Sequence, residues 1–100
     1  MAHELDPHLH APARLQIAAV LARVSDIEFA KLTEIVEVSD SVMSKHLKAL
    51  SDEGYVKLKK AKSDGRQRTW ASFTKEGRKA FAAHMRALEE LVASARAAAE

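Results

Sequence analysis

The spacing of apolar and polar residues changes from helical to alternating and back again along this chain, and each change marks an element. From Pro12 to Val24 the apolar residues recur at helical intervals, Leu15, Ala18 and Leu21 on one stripe with Ile17 and Val24 beside it, and Pro12 suits a first turn. Ala19 and Val20 widen that stripe, so the helix is expected to be buried on two sides, by its own domain and by a second copy. Ser25 and Asp26 are expected to cap the next segment, with Ile27-Glu28 as a very short strand. A short helix follows over Phe29 to Val36, with Phe29, Leu32 and Val36 inward.

Met43, Leu47 and Leu50 then fall at i, i+4 and i+7 and define one inward stripe of a further helix. Ser39 is its expected N-cap, Asp40 places a negative charge at the positive end of the dipole, and Gly54 closes it. After Gly54 the period becomes two: Val56 and Leu58 share one face of a strand, Lys57 and Lys59 the other. Ala61 to Gly65 is the expected turn, and Gln67 to Phe73 returns as a second strand. Thr74 is the expected cap of a last helix running to Ala99, with Glu76 in its first turn. Its apolar residues Phe81, Met85, Leu88, Val92 and Ala95 are spaced 4, 3, 4 and 3, a heptad-like seam with His84 and Leu91 at the margin. So long a helix exceeds what a 100-residue domain can cover, and self-association through Leu15, Ile17, Phe81, Met85, Leu88 and Val92 is the economical expectation.

The middle of this series carries the functional signal. Only Glu37-Val38-Ser39 separates the Phe29 helix from the one after it, which is the layout of a helix-turn-helix with its second helix presented outward. Opposite the Met43 stripe lie Ser41, Lys45, Lys48 and Asp52, with Val42 and Ser44 on the flanks and Ser39 at the start. Small polar side chains with cations at the edges suit a helix that must approach a phosphate-lined groove.

Charge sharpens this reading. The net charge is only +2, but Met1 to Val38 carries −3, Ser39 to Arg68 carries +4 and Thr69 to Glu100 carries +1. The twelve residues from Lys57 to Arg68 hold Lys57, Lys59, Lys60, Lys62, Arg66 and Arg68 against Asp64 alone. A run of lysines often serves only to keep a strand edge from pairing. Here it follows an outward helix, so Lys59, Lys60, Lys62, Arg66 and Arg68 are expected on DNA backbone or in a minor groove, with an Asp64–Arg66 ion pair inside the turn.

Other classes find little support. The chain has no cysteine, hence neither disulfides nor thiolate metal sites. No apolar run approaches the roughly 20 residues of a membrane span, and a secretory leader pattern is lacking, so the cytoplasm is the default compartment. Residues 1–11, with His3, His8, His10 and Pro7 and no periodicity, are expected as a flexible arm ahead of a domain over 12–100. Two histidines at a spacing of two, without cysteine or paired carboxylates, are a weak metal signal, and no metal site is expected. There is no glycine-rich phosphate loop, no paired carboxylates at a cleft and no partnered nucleophile, so an enzyme is not expected. Nor does any pattern assign a cofactor or small-molecule effector.

The expected fold is mainly α with a small β-hairpin. The strings Ser44-Lys-His-Leu-Lys-Ala-Leu50, Gly54-Tyr-Val56, Asp64-Gly-Arg66, Arg68-Thr-Trp70, Phe73-Thr-Lys-Glu-Gly-Arg78 and Ala80-Phe-Ala-Ala-His84 resemble the MarR and ArsR families, in particular their small single-domain winged helix-turn-helix relatives. The resemblance spans Pro12 to Val92. It implies a homodimeric transcriptional regulator, by expectation a repressor, that binds a palindromic double-stranded operator. The recognition helix would sit in the major groove and the wing on flanking minor grooves, with Arg66 as wing arginine. Lacking cysteine, the chain departs from the ArsR metal sensors, and it is shorter than typical MarR proteins, whose extra helices help form an effector pocket. The competing reading is a winged-helix protein-interaction module without specific DNA binding. Six cations in twelve residues weigh against it.

Overall fold

The computed structural model describes residues 4–99. In chain order it comprises α1 (Pro7–His10), α2 (Pro12–Leu21), β1 (Ile27–Glu28), α3 (Phe29–Val36), α4 (Asp40–Asp52), β2 (Val56–Ser63), β3 (Arg66–Phe73) and α5 (Lys75–Ala99). The strands form one antiparallel sheet in the order β1-β3-β2.

The helix ends follow from local chemistry. Ser39 Oγ accepts the Val42 amide at 3.2 Å, as expected of an N-cap. At the other end Gly54 takes φ +81°, which a Cβ would oppose, and the Gly54 and Tyr55 amides return to the Ser51 and Leu50 carbonyls, closing α4 in a Schellman turn. The tight turn before α4 rests on Glu37, which adopts φ 60° and donates its amide to the Thr33 carbonyl. Thr74 Oγ1 accepts the Gly77 amide at 3.0 Å and donates to the Gly54 carbonyl at 2.6 Å, so one hydroxyl starts α5 and ties it to the end of α4. Ser25 and Asp26 do not cap α3. Its N-cap is Glu28, without a side-chain hydrogen bond, because β1 continues directly into the helix.

Ile17, Leu21, Leu32, Met43, Leu47, Leu50, Val56 and Phe73 meet in one core beneath the sheet. Ile17 is wholly buried there, so it cannot serve the intermolecular contact expected of it, and Leu15 is half-buried. Residues 6–11 also depart from expectation. Rather than an unattached arm, they form a strap against the domain: Leu9 is fully buried, and Asp6 accepts the Tyr55 hydroxyl at 2.7 Å while its amide donates to His84 Nδ1 at 2.8 Å. That hydrogen bond to a carboxylate, with burial and the Asp6 and Glu53 charges, pushes the Tyr55 phenol up to about 12. His84 is buried in the fold, not at the margin of a seam, and burial with the nearby His10 imidazole lowers its pKa.

The hairpin turn is tighter than expected. Asp64 and Gly65 alone connect the strands, at φ 53° and 76°, the pattern of a two-residue turn that suits the strand twist. α5 leaves the domain at its far end, where every residue from Leu91 to Ala99 is exposed, and the molecule extends 59 × 25 × 20 Å. Among the described residues no helix is long and apolar enough to cross a membrane.

Candidate nucleic-acid interface

The second helix of the α3–α4 pair stands on its buried stripe. With Met43, Leu47 and Leu50 at 0–1% exposure, the opposite side of α4 has to face outward, and Ser41, Val42, Ser44, Lys45 and Lys48 are all exposed. Their individual states differ. Ser39 Oγ is occupied by the Val42 amide and lies 3.2 Å from Ser41 Oγ, so Ser39 acts as a cap before it can act as a contact. Lys48 Nζ reaches Asp52 at 3.0 Å, an i, i+4 pair so exposed that it contributes only about 0.3–0.5 kcal/mol and yields readily to a phosphate. Lys45 has no ion-pair partner among the described residues and projects freely. On the flank beyond Val42, His46 Nδ1 accepts Arg14 Nε at 3.1 Å; burial and that guanidinium lower the His46 pKa.

The hairpin distributes its cations over two faces. Pairing of Val56 with Phe73, Leu58 with Ala71, Lys60 with Thr69 and Lys62 with Gln67 places Lys60 and Lys62 on the face that continues the core. Lys57, Lys59, Arg66 and Arg68 lie on the outer face, with Lys59 opposite the half-buried Trp70. Lys57, Lys59, Lys60, Lys62 and Arg66 are exposed. Arg68 is not available in the same way: its Nη1 donates to Glu28 Oε1 at 2.7 Å, with both side chains less than one-third exposed. That pair fastens β1 to β3, so the Arg68 guanidinium braces the sheet in this structure. The expected Asp64–Arg66 pair is absent among the described residues, and Asp64 takes a positive φ in the turn.

Between α4 and the hairpin lies a cleft of about 310 Å³, lined by Phe29, Ser44, Leu47, Leu58 and Thr69. Sequence reasoning put Ser44 on the reading face and overlooked Thr69 and the outer part of Leu58. Their two-residue alternation with Val56 and Phe73 was the available signal, but nothing local says that α4 stands across from that face.

The apolar seam of α5 divides. Phe81 turns inward, 6.1 Å from Phe73 between ring centres, and belongs to the domain. Met85, Leu88 and Val92 instead line a shallow groove of about 410 Å³ with Glu89, Ala93 and Arg96. Val92 is 48% exposed and Leu91 54%.

Among the described residues no three His, Cys, Asp or Glu side chains gather as a metal site. His8 Nε2 lies 3.3 Å from Glu53, His10 packs edge-on against His84, and His3 falls outside the described residues.

Residues 13–92 match the family model of the winged helix DNA-binding domain. An uncharacterized protein of Methanocaldococcus jannaschii is 37% identical over 68 residues, which is 68% of this chain and 74% of that protein. A transcriptional regulator homologue from Pyrococcus horikoshii superposes with a TM-score of 0.82 at 23% identity, covering 87% of this chain and 86% of that one. A MarR family transcriptional regulator from Silicibacter pomeroyi gives 0.68 at 23% identity, over 86% of this chain and 56% of that one. At such identities the two structures show a shared fold.

Proposed function

The chain belongs to the winged helix DNA-binding domain family, and on that premise we propose that it is a homodimeric, sequence-specific reader of duplex DNA that regulates transcription, by repression. In this reading α4 enters the major groove and the hairpin, the wing, lies on the flanking minor groove or backbone. The observation that carries it is the exposed row Ser41, Val42, Lys45 and Lys48 beside a wing with five exposed cations. The relatives described as transcriptional regulators support the same reading. Selection of bound sequences from a random duplex pool tests it. A palindromic consensus with half-sites one turn apart is expected, and a pool that fails to converge would defeat sequence-specific reading.

The wing would act mainly through phosphates. Each lost phosphate contact lowers the slope of log affinity against log salt by about 0.9, so Lys60→Ala and Arg66→Ala are each expected to flatten it by about that amount. Arg68→Ala should leave the slope alone and lower thermal stability instead, since its guanidinium is held by Glu28. If neither Lys60→Ala nor Arg66→Ala changed the slope, the wing would be a solvated face and a protein-interaction role would gain ground.

Dimerisation would use the exposed part of α5. Met85, Leu88, Leu91 and Val92 form an apolar strip on a helix that its own domain leaves uncovered, and a two-fold axis along it would set the two copies of α4 about 34 Å apart. Sedimentation equilibrium at micromolar concentration should find a dimer for wild type and a folded monomer with weakened operator binding for Leu88→Glu. A wild-type monomer that binds a palindrome tightly would sink this claim.

A further inference from the structure

A duplex engaged by both α4 and the wing imposes a geometric condition on the surface between them. Adjacent major and minor grooves are separated by a single sugar-phosphate strand. With α4 in one groove and the hairpin in the next, that strand has to cross the cleft between the two elements. We propose that the cleft of Phe29, Ser44, Leu47, Leu58 and Thr69 is a seat for one sugar-phosphate strand, with Ser44 and Thr69 as phosphate donors and Leu58 as the surface on which a deoxyribose packs. The proposal rests on the DNA-binding reading above and assigns Ser44 to positioning instead of base reading.

Three observations converge on it. Leu58 is 40% exposed although it shares a sheet face with Val56 at 3% and pairs with Ala71 at 0%, so an apolar side chain of the core face is left open where the cleft begins. Ser44 on α4 and Thr69 on β3 line the cleft from two different elements, and among the described residues neither hydroxyl has a hydrogen-bond partner. Hydroxyls at such sites commonly donate to phosphate oxygens, contacts that set register without reading sequence. Lys60, paired with Thr69 and therefore on the same face, adds an exposed cation at the rim. Apolar floor, two donors and a cation match a sugar flanked by phosphates better than a base edge, whose in-plane donors and acceptors would go unanswered over Leu47, Leu58 and Phe29.

The test measures affinity for the selected operator and for random duplex at one salt concentration. Thr69→Val, which keeps shape and strand preference, and Ser44→Ala are each expected to weaken both complexes equally, by about tenfold, a typical effect for a hydrogen bond to a charged group. The ratio between the two DNAs should stay at the wild-type value, whereas Lys45→Ala should lower that ratio. As an independent arm, neutralising operator phosphates one at a time should locate a position that weakens wild type but not Thr69→Val. Wild-type affinity for both DNAs in Thr69→Val overturns the seat, and so does a Ser44→Ala loss confined to the operator. Failure of the wild-type protein to bind duplex at all would defeat the DNA-binding reading itself, and the seat with it.

Discussion

Gly77→Ala should be among the most destabilising single-methyl changes in this protein, lowering stability by about 2–3 kcal/mol, the range for overpacking a filled site. On a domain of this size that corresponds to roughly 10–20 °C in Tm. Alanine is ordinarily the better helix residue by about 1 kcal/mol, so the prediction runs against local propensity. Its reason is contact: Gly77 is buried in the first turn of α5, and a Cβ there would overlap the Tyr55 carbonyl oxygen and lie 2.8 Å from Phe73 Cδ1. Neither neighbour can retreat cheaply. The Tyr55 carbonyl accepts the Thr74 amide at 3.0 Å, and Phe73 belongs to the core. To admit the methyl, α5 must lift away from the end of α4, loosening the Thr74 hydroxyl from Gly54. Thermal unfolding followed by circular dichroism measures the effect, and a variant as stable as wild type would show that α5 does not seat on Tyr55 in solution.

The second large effect is on binding. Lys45→Glu is expected to weaken operator binding by about a hundredfold or more, since it removes a cation and sets a like charge against the phosphates, a juxtaposition that costs several kcal/mol. Folding should be almost unaffected, within about 0.5 kcal/mol, as for other exposed positions without structural partners. Lys45 lies opposite the buried stripe of α4 and makes no ion pair among the described residues, so the two readouts separate. Fluorescence anisotropy with labelled operator gives the first and the melting temperature the second. Wild-type affinity in a folded Lys45→Glu protein would mean that α4 does not face the DNA. Ser44→Ala makes a useful contrast, because its loss should be the same on any sequence.

Much of the fold was legible because it is written in near neighbours. Helix and strand periods identified α2 to α5 and the hairpin, and the starts at Ser39 and Thr74 and the stop at Gly54 are settled by hydrogen bonds within a few residues. The order of these elements, with the strings around Ser44 and Phe73, was enough to point to the winged-helix family that the comparisons show.

What the tertiary structure decided concerns partners distant in sequence. Leu9 lies in a segment without periodicity, and its burial depends on Asp6 reaching Tyr55 and His84, 49 and 78 positions away. Arg68 looks like its neighbouring wing cations in the sequence, but it meets Glu28, 40 residues earlier, through the β1–β3 pairing. Ile17 illustrates the limit on the apolar side. A helix with two apolar flanks states that both prefer cover, and only the packed domain determines which flank the core takes and which stays outside it. The same holds for the cleft: alternation placed Leu58 and Thr69 on one face of the hairpin, whereas their position across from Ser44 follows from how α4 is seated on the core. Periodicity fixes the direction in which a side chain points along its own element, and the identity of what it meets depends on chain topology, which no local window contains.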